Sequence, residues 1–335
     1  MTGARNPPAL ASPVPCLVSR VPCLDAVPGG AGAPVLQYAA PTARYPERPA
    51  MALPTPTAEL PRRIFSPIAR GYDTPAQILG LFQYRRWHRF LLSRIPLSAR
   101  PEPVLSEVEG TIEARGAHPT APAEPACPEP SRRVEVRAAR ILDMATGTGA
   151  LAFDLIRRPG VDVVAADITR AMLRQAQARA ASARGGRASG GGADRGPQLV
   201  EATAEAPPFA DASFDAVVFA YLLRYVADVP ATLTGLARLL RPGGTMASLD
   251  FAVPTGAAYP LWRIHTDAVL PLAGALLSPG WRRIGAFLGP SIRDFYRRWP
   301  EPKLLDAWRD AGFADVQSRR LSLGGALVIW GRKGE

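Results

Sequence analysis

The stretch ILDMATGTGALAF, residues 141–153, joins a short apolar run to a glycine-containing loop and a helix-like segment. This order is typical of a strand that leads into a nucleotide-binding loop at the start of a helix. Gly147, Gly149 and Ala152 satisfy the dinucleotide fingerprint G-x-G-x-x-G/A in its weaker form. The loop alone therefore leaves two cofactor classes open, a dinucleotide and a different adenosine compound.

Two carboxylates beside this loop favour the second class. Asp143 lies inside the strand, four residues before Gly147, where a dinucleotide fold normally keeps an apolar side chain. A carboxylate there can reach a cation such as the ammonium group of an adenosine-linked methionine, whereas it would repel the pyrophosphate of NAD. The alternative for Asp143 is a helix-capping or solvent-facing carboxylate. Asp167, at the end of the next strand-like segment, can accept both ribose hydroxyls of either cofactor.

From about residue 138 the chain alternates short apolar segments with helix-like ones, which predicts a parallel sheet covered by helices on both faces. The RPGG segment, residues 241–244, predicts a turn that reverses the chain. Gly324-Gly325 favours an antiparallel hairpin, so that the sheet should end with a reversed strand. We predict an α/β, Rossmann-like fold with a seven-stranded, mostly parallel sheet. Its strands are expected at RILDMA, VDVVAAD, QLVEAT, FDAVVFAY, TMASLDF, VQSRRLSL and ALVIWGRK.

Composition divides the chain into four parts. Residues 1–60 are rich in Pro, Ala and Gly and predict a disordered leader. Residues 61–99 predict one or two amphipathic helices that cap the cofactor site. Residues 100–135 are rich in Pro and charge and predict a disordered insertion. Residues 136–335 form the predicted cofactor-binding domain, with an insertion at about 256–298 that lines the acceptor pocket.

The formal charge of +11 raises the question of a nucleic-acid partner. Of the 40 basic residues all but Lys303 and Lys333 are Arg, which we interpret as compositional bias, with a true basic patch as the alternative. The sequence contains no basic stripe interleaved with base-stacking aromatic residues, so no nucleic-acid partner is expected. The three cysteines form no CxxC pair, so neither a metal site nor a disulfide framework is predicted. No apolar run reaches the ~20 residues of a membrane-spanning helix, and we expect a cytoplasmic protein.

Further motifs carry a resemblance to a known family. Residues 143–149, DMATGTG, match the loop D-x-A-x-G-T-G of class I S-adenosylmethionine-dependent methyltransferases, and more closely of the ubiquinone/menaquinone biosynthesis C-methyltransferase family (methyltransferase type 11). Residues 204–215 are similar to its segment A-E-x-x-P-F-x-D-x-S-F-D, and residues 223–226 to its segment I-R-N-V. The chain departs from the family at Thr203, where Asp or Asn is usual, and at Tyr225, which replaces the Asn beside the Arg.

The resemblance implies S-adenosylmethionine as the methyl donor and a small aromatic or prenylated quinol as the acceptor, methylated at a ring carbon. Within it we assign Arg224 to stabilise the phenolate form of the acceptor, with a surface salt bridge as the alternative. His265 is the candidate base, with packing or solvent exposure as the alternative. The residues implied in cofactor binding are Asp143, Ala145, Thr146, Gly147, Thr148, Gly149, Asp167, Ile168, Met172, Thr203, Ala204 and Ala220.

The segment 259–295 suits a lipid-tailed or aromatic acceptor because it is apolar and rich in aromatic residues. Arg263, Arg282 and Arg283 in the same segment could contact anionic headgroups, so peripheral contact with a membrane is a further hypothesis. The residues expected to line the acceptor pocket are Trp262, Trp281 and Phe287.

Four alternative functions remain at this point: methylation of another phenolic or lipid molecule, an NAD-binding oxidoreductase, a nucleic-acid methyltransferase and an inactive cofactor-binding partner. Asp143 and the reversed hairpin argue against the oxidoreductase. Base methyltransferases carry an Asn/Asp-Pro-Pro-Tyr-type motif after strand four, where this chain has AYLLRY. The sequence leaves the oligomeric state open.

Overall fold

The computed structural model describes residues 59–95, 137–185 and 196–334, in which seven strands form one sheet. The predicted insertion at residues 100–135 lies outside the described residues, and so does the predicted leader except for residues 59 and 60, which begin the first helix. The strands are β1 (Ala139–Met144), β2 (Val161–Asp167), β3 (Gln198–Glu201), β4 (Phe214–Ala220), β5 (Leu240–Phe251), β6 (Phe313–Leu321) and β7 (Ala326–Lys333).

Helices precede the sheet and connect its strands. None of the helices in the described ranges is both long enough and apolar enough to cross a membrane. They are α1 (Glu59–Phe65), α2 (Asp73–Leu79), α3 (Tyr84–Leu92), α4 (Ala150–Ile156), α5 (Arg170–Gly185), α6 (Val229–Leu239), α7 (Ala258–Ile264), α8 (Leu270–Leu277), α9 (Pro279–Arg298) and α10 (Glu301–Asp310).

The strand order is β3-β2-β1-β4-β5-β7-β6. β1 pairs in parallel with both β2 and β4, and β4 pairs in parallel with β5. β7 runs antiparallel to both of its neighbours, β5 and β6. The predicted α/β fold with a mostly parallel sheet and an antiparallel hairpin strand is therefore confirmed. The reversed strand is β7, which lies one place inside the edge, while β6 forms the edge itself.

The sheet is buried on both faces because its central strands alternate apolar side chains between two cores. In β1, Leu142 packs in one core with Leu233 of α6 and Trp308 of α10. Its neighbour Ile141 packs in the opposite core with Leu155 of α4. This alternation follows the period of two residues along a strand and explains why the strands read as continuous apolar runs.

The N-terminal segment forms three helices instead of the predicted one or two. α3 packs against β5 and buries Trp87 and Leu91 in the core that also holds α4. Ile68 and Ala76 join Trp281 of α9 in a separate apolar cluster. The N-terminal helices therefore bridge the sheet and the long helix α9.

The segment after β5 consists of α7, a π-helical turn (His265–Val269), α8 and α9. α8 and α9 cross with their backbones almost in contact. A Cβ at Gly274 would lie 2.4 Å from the Trp281 carbonyl oxygen, and one at Gly285 would lie 2.3 Å from the Leu270 carbonyl oxygen. Only glycine permits such an approach at these two positions.

The predicted turn at RPGG is wrong. α6 ends at Leu239 and β5 begins at Leu240, so residues 241–244 belong to the strand. The pairing of β5 with β4 shifts register between Leu240 and Thr245, and Gly243 has a φ of +66°. β5 therefore has three more residues than β4 between these two pairs, and Gly243 supplies the backbone freedom that this irregular part of the strand requires.

Gly285→Ala should destabilise the protein because the new methyl group meets backbone that cannot rotate away. We expect the free energy of unfolding to fall by about 1–3 kcal/mol in denaturant titrations. Gly235→Ala is the matched control, since this position in α6 has open space around a Cβ. That change should raise stability by about 0.4–1 kcal/mol. Equal effects of the two substitutions would contradict the close crossing of α8 and α9.

Candidate functional site

The predicted cofactor residues gather at the carboxyl ends of β1, β2, β3 and β4. The chain runs outward in both directions from β1, to β2 and β3 on one side and to β4 and β5 on the other. A crevice opens beyond the strand ends at such a switch point, and ligands of open α/β sheets bind there. The order of the strands therefore places the loop after β1 in the usual binding position.

The loop between β1 and α4 has an unusual backbone. Ala145, Gly147 and Gly149 all have positive φ, at +61°, +58° and +86°. A Cβ at Gly147 would meet nothing within 4 Å, so the backbone there is open to a ligand. A Cβ at Gly149 would lie 2.8 Å from the Phe153 ring, which could shift, so the φ of +86° is the main reason for glycine at the start of α4.

Asp143 is fully buried, and its two carboxylate oxygens differ in their hydrogen bonding. Thr146 Oγ1 donates to Asp143 Oδ2 at 2.6 Å, while Oδ1 has no hydrogen-bond partner among the described residues. Burial raises the pKa of Asp143 to about 7, and the nearby Asp167 carboxylate adds to this rise, while hydrogen bonds from Thr146 and the Ala152 backbone offset only part of it. A solvent-facing carboxylate is excluded by this burial. The free oxygen fits a ligand that brings a positive charge, such as the methionine ammonium of S-adenosylmethionine.

Asp167 holds the loop from the adjacent strand. Its Oδ2 accepts from the Gly147 N–H at 2.8 Å, and its Oδ1 accepts from the Thr169 N–H at 2.7 Å. A carboxylate has about four lone-pair positions, so ribose hydroxyls could share the same oxygens. Beside it, Thr203 Oγ1 accepts from the Glu205 N–H at 3.4 Å. The neighbouring predicted residues Met172 and Ala204 are buried at 3% and 6% exposure.

The N-terminal helices contact this loop directly. Thr148 Oγ1 donates to Asp73 Oδ1 at 2.5 Å, and Arg179 Nη2 donates to Asp73 Oδ2 at 2.6 Å. Arg62 Nε donates to the Ile168 carbonyl oxygen at 3.1 Å. Sequence reasoning missed Asp73 and Arg62, because these contacts span 75 and 106 positions and leave no local pattern.

An apolar cavity of about 190 Å³ lies between the N-terminal helices, the end of β4 and α7 to α9. The predicted pocket residues Trp262, Trp281 and Phe287 all line it. The Tyr72 ring stacks on Trp281 with 5.6 Å between the ring centroids. The other aromatic lining residues are Phe65, Tyr84, Trp87, Tyr221, Tyr225 and Phe251.

Arg224 brings a buried cation to the wall of this cavity. Its side chain is 1% exposed, and its Nε donates to Asp250 Oδ1 at 2.8 Å. Its Nη1 has no hydrogen-bond partner among the described residues. Burial alone would lower the pKa of Arg224, but the Asp250 carboxylate raises it above its usual range. The group is therefore a permanent cation inside the protein, and the surface salt bridge is excluded.

Asp250 is a second residue that sequence reasoning missed. It lies in β5, within the run TMASLDF, where its neighbours are apolar or small. A carboxylate in a central strand is the same signal that singled out Asp143. A carboxylate within an apolar strand therefore marks a residue of the site at both Asp143 and Asp250.

Tyr221 directly follows β4 with a φ of +59°, a conformation that non-glycine residues rarely adopt. Its ring stacks on Phe251 with 4.5 Å between the centroids. Its hydroxyl is buried without a hydrogen-bond partner among the described residues. Burial raises the pKa of Tyr221 well above its usual range, so the hydroxyl stays protonated at the cavity wall.

His265 also lines the cavity, at the start of the π-helical turn. Its Nε2 lies 3.0 Å from the Leu79 carbonyl oxygen. A carbonyl can only accept, so Nε2 carries the proton of this hydrogen bond and the lone pair of the neutral ring is on Nδ1. Across residues 59–95, 137–185 and 196–334, no group of three or more His, Cys, Asp or Glu side chains could hold a metal ion.

The chain is similar in sequence to known methyltransferases. The sequence model of the ubiE/COQ5 methyltransferase family matches residues 130–333. The chain is 38% identical over 193 residues to the demethylmenaquinone methyltransferase of Thermus thermophilus, covering 56% of this chain and 80% of that protein. It is 29% identical over 273 residues to the ubiquinone/menaquinone biosynthesis C-methyltransferase UbiE of Desulfotalea psychrophila, covering 81% and 89%.

Solved structures similar to this one include a SAM-dependent methyltransferase from Thermotoga maritima. The two share 16% sequence identity and a TM-score of 0.46, over 81% of this chain and 99% of the other.

The raised pKa of Asp143 predicts that S-adenosylmethionine binds more tightly as the pH rises. Below pH 7 the carboxyl group of Asp143 is mostly protonated and must lose its proton before it can pair with a cation. The free energy of this deprotonation weakens binding at low pH. We expect the Kd to fall about tenfold between pH 6 and pH 7.5 in calorimetric titrations, with proton release at the lower pH. Asp143→Asn should bind more weakly and lose this dependence. A wild-type Kd that is constant over the same range would contradict the assignment.

Removal of the Asp73 carboxylate should loosen the glycine loop. Asp73→Ala removes the acceptor of Thr148 Oγ1 and the ion-pair partner of Arg179. The side chains of Asp73 and Arg179 are only partly exposed. We expect the Kd for S-adenosylhomocysteine to rise about fivefold, a cost of about 1 kcal/mol. Asp154→Ala is the control, since Asp154 forms its ion pair with Arg157 on the surface of α4. If both variants bind like the wild type, Asp73 does not support the loop.

Proposed function

This chain belongs to the ubiE/COQ5 methyltransferase family and is an S-adenosylmethionine-dependent methyltransferase, and from this premise we propose that its acceptor is a quinol ring with an apolar tail. The ring would be of the demethylmenaquinol or ubiquinol-precursor type and would be methylated at a ring carbon. The names of the relatives support this acceptor class. The observation that carries the proposal is the buried, partly unpaired Arg224 in an otherwise aromatic cavity.

Each of the proposed cofactor residues would contact a different part of S-adenosylmethionine. Asp143 Oδ1 would pair with the methionine ammonium, and the open backbone at Gly147 would allow the methionine and ribose portion to approach. Asp167 would accept the ribose hydroxyls, and the Thr203–Ala204 corner would contact the adenine edge. When bound, S-adenosylmethionine supplies an electrophilic methyl group on a sulfonium that leaves as a neutral thioether.

Methylation at carbon requires a nucleophilic ring, and a ring hydroxyl must therefore lose its proton. Arg224 Nη1 would stabilise the resulting oxyanion, because it is a donor without a protein partner on a permanent cation. Preorganised donors of this kind contribute most in a site that excludes water. Asp250 acts through Arg224 as a positioning residue, since it fixes the orientation of the guanidinium from Nε.

The aromatic wall would supply alignment and a dry environment. Alignment of nucleophile, methyl carbon and sulfur is the main requirement of methyl transfer, and such positioning can contribute ~7–11 kcal/mol. Tyr72, Trp281 and Tyr225 offer flat, apolar faces against which a quinol ring can stack. His265 is our candidate base through Nδ1, because Nε2 is engaged by the Leu79 carbonyl.

A second acceptor class, a different phenolic or lipid molecule, is favoured by the residue at position 225. Tyr225 stands where the resemblance leads one to expect Asn, and its ring packs 6.3 Å from that of Phe287. This exchange replaces an amide by an aromatic ring at the cavity wall. A comparison of acceptors therefore distinguishes the two classes.

The test is transfer of a labelled methyl group to a short-tailed demethylmenaquinol, a demethoxyquinol and a simple phenol under reducing conditions. The wild type should methylate a quinol at carbon. Arg224→Met with Asp250→Asn removes both charges, so that Asp250 is not left as a buried carboxylate without its cation. We expect kcat to fall about 10²–10³-fold for this double variant. Its Kd for S-adenosylhomocysteine should change less than about twofold, because neither residue is assigned to the cofactor.

Arg238→Met is the control for loss of an arginine, since Arg238 pairs with Asp211 at the surface. An unchanged kcat in the double variant would remove Arg224 from the mechanism. Failure of the wild type to methylate any quinol would refute the proposed acceptor and leave the methyltransferase assignment intact.

A further inference from the structure

Large apolar side chains are exposed on the segments that line the acceptor cavity. Six of them, which we call the apolar rim, are between 59% and 89% exposed. They lie on the turn between α2 and α3, on α7 and on α8. The apolar rim consists of Leu81, Phe82, Leu261, Ile264, Leu272 and Leu276.

The apolar rim adjoins the cavity on two sides. Leu81 is 61% exposed and also lines the cavity, so its side chain lies at the opening. On α7 and the following turn, Trp262 and His265 line the cavity while Leu261 and Ile264 face solvent. The 3.0 Å contact between His265 Nε2 and the Leu79 carbonyl oxygen joins these two parts.

The exposure of α8 follows from its packing. Its inner side, with Leu270 and Gly274, is held against α9 by the close backbone contacts at Gly274 and Gly285. Leu272 and Leu276 therefore face away from α9, at 68% and 89% exposure. Monomeric soluble proteins rarely expose a large contiguous apolar patch, and such patches mark surfaces that contact a partner or a membrane.

Arginines accompany the apolar rim. Residues 59–95 and 256–298, which carry it, contain 13 Arg and 4 acidic residues, and this excess of nine accounts for most of the +11 charge of the chain. Arg85 and Arg86 follow Phe82, and Arg282 and Arg283 begin α9 just after α8; all four are exposed. Near an anionic membrane surface each basic residue contributes about 1 kcal/mol of attraction.

We propose that the apolar rim docks this enzyme on an anionic lipid surface, with the mouth of the acceptor cavity facing the bilayer. The proposal rests on the proposed function in one respect, because a quinol with an apolar tail resides in the bilayer. Apolar side chains flanked by arginines suit the headgroup boundary, where the former insert and the latter meet phosphate. A symmetric pair of chains would instead bring two strongly basic surfaces together and close the cavity mouth.

The test is flotation of the full chain with vesicles of phosphatidylglycerol and phosphatidylcholine in equal parts, against vesicles of phosphatidylcholine alone. Binding to the anionic vesicles should be about tenfold stronger and should weaken with added salt. Leu272→Glu with Leu276→Glu should reduce the bound fraction about tenfold. The control is Ala231→Glu, an exposed position on α6. Arg282→Gln with Arg283→Gln should also weaken binding, whereas Arg157→Gln with Arg309→Gln should not.

Equal binding to both kinds of vesicle, or full binding by the double Glu variant, would overturn the proposal. Sedimentation that shows a dimer lost in the double Glu variant, without vesicle binding, would also overturn it and assign the apolar rim to self-association. The vesicle measurements require no acceptor, so they stand even if quinol methylation fails. If both proposals hold, the double Glu variant should methylate a short-tailed quinol in solution normally and a vesicle-embedded quinol poorly.

Discussion

Two carboxylates buried within the sheet set the conditions for the rest of the site. Asp143 in β1 and Asp250 in β5 both lie among apolar strands, where an ionised carboxylate is costly unless a positive charge faces it. The chain provides Arg224 for Asp250, at 2.8 Å. Among the described residues it provides no cation for Asp143, only hydrogen-bond donors such as the hydroxyl of Thr146. One carboxylate is thus paired with a cation by the fold, and the other is suited to pair with a charged ligand.

The two carboxylates therefore serve different parts of the proposed reaction, Asp143 the binding of the cofactor and Asp250 the activation of the acceptor. Because Asp143 has no cation in the part of the chain that the structure describes, binding depends on the charge of the ligand, and the site favours the cationic cofactor over an anionic nucleotide. A carboxylate already paired with Arg224 holds a guanidinium in a fixed orientation and leaves one of its nitrogens for the acceptor. In both cases the low dielectric of the surroundings makes the electrostatic contribution larger than it would be at the surface.

The helix that begins at Asp73 connects the two halves. Asp73 accepts from Thr148 in the glycine loop, while the preceding residue, Tyr72, stacks on Trp281 in the cavity proposed for the acceptor. Displacement of α2 would disturb both contacts at once, because they come from adjacent residues. The predicted role of the N-terminal helices as a cap on the cofactor site stays a prediction, and these contacts extend it to the acceptor.

Polar residues in apolar runs were the most informative feature of the sequence. The alternation of strands and helices predicted the sheet, and the carboxylate in ILDMATGTG predicted a site for a cationic cofactor at Asp143. Periodicity could not distinguish a turn from an irregular strand at RPGG, because both use the φ of Gly243. Contacts such as Thr148 with Asp73 were beyond prediction, since they depend on how α2 packs and not on any neighbour in the chain.

The composition of the cavity wall strengthens the role of its single cation. Among the lining residues that the structure describes, Arg224 alone carries a full charge. Tyr225 departs from the Asn expected there, and its ring packs 5.7 Å from Phe65 of α1, which joins the N-terminal helices to the wall. The centroid of the Tyr225 ring also lies 5.1 Å from the guanidinium carbon of Arg224. Packing of this kind would limit the access of water and so increase the attraction between Arg224 and an oxyanion, on which ring methylation would depend.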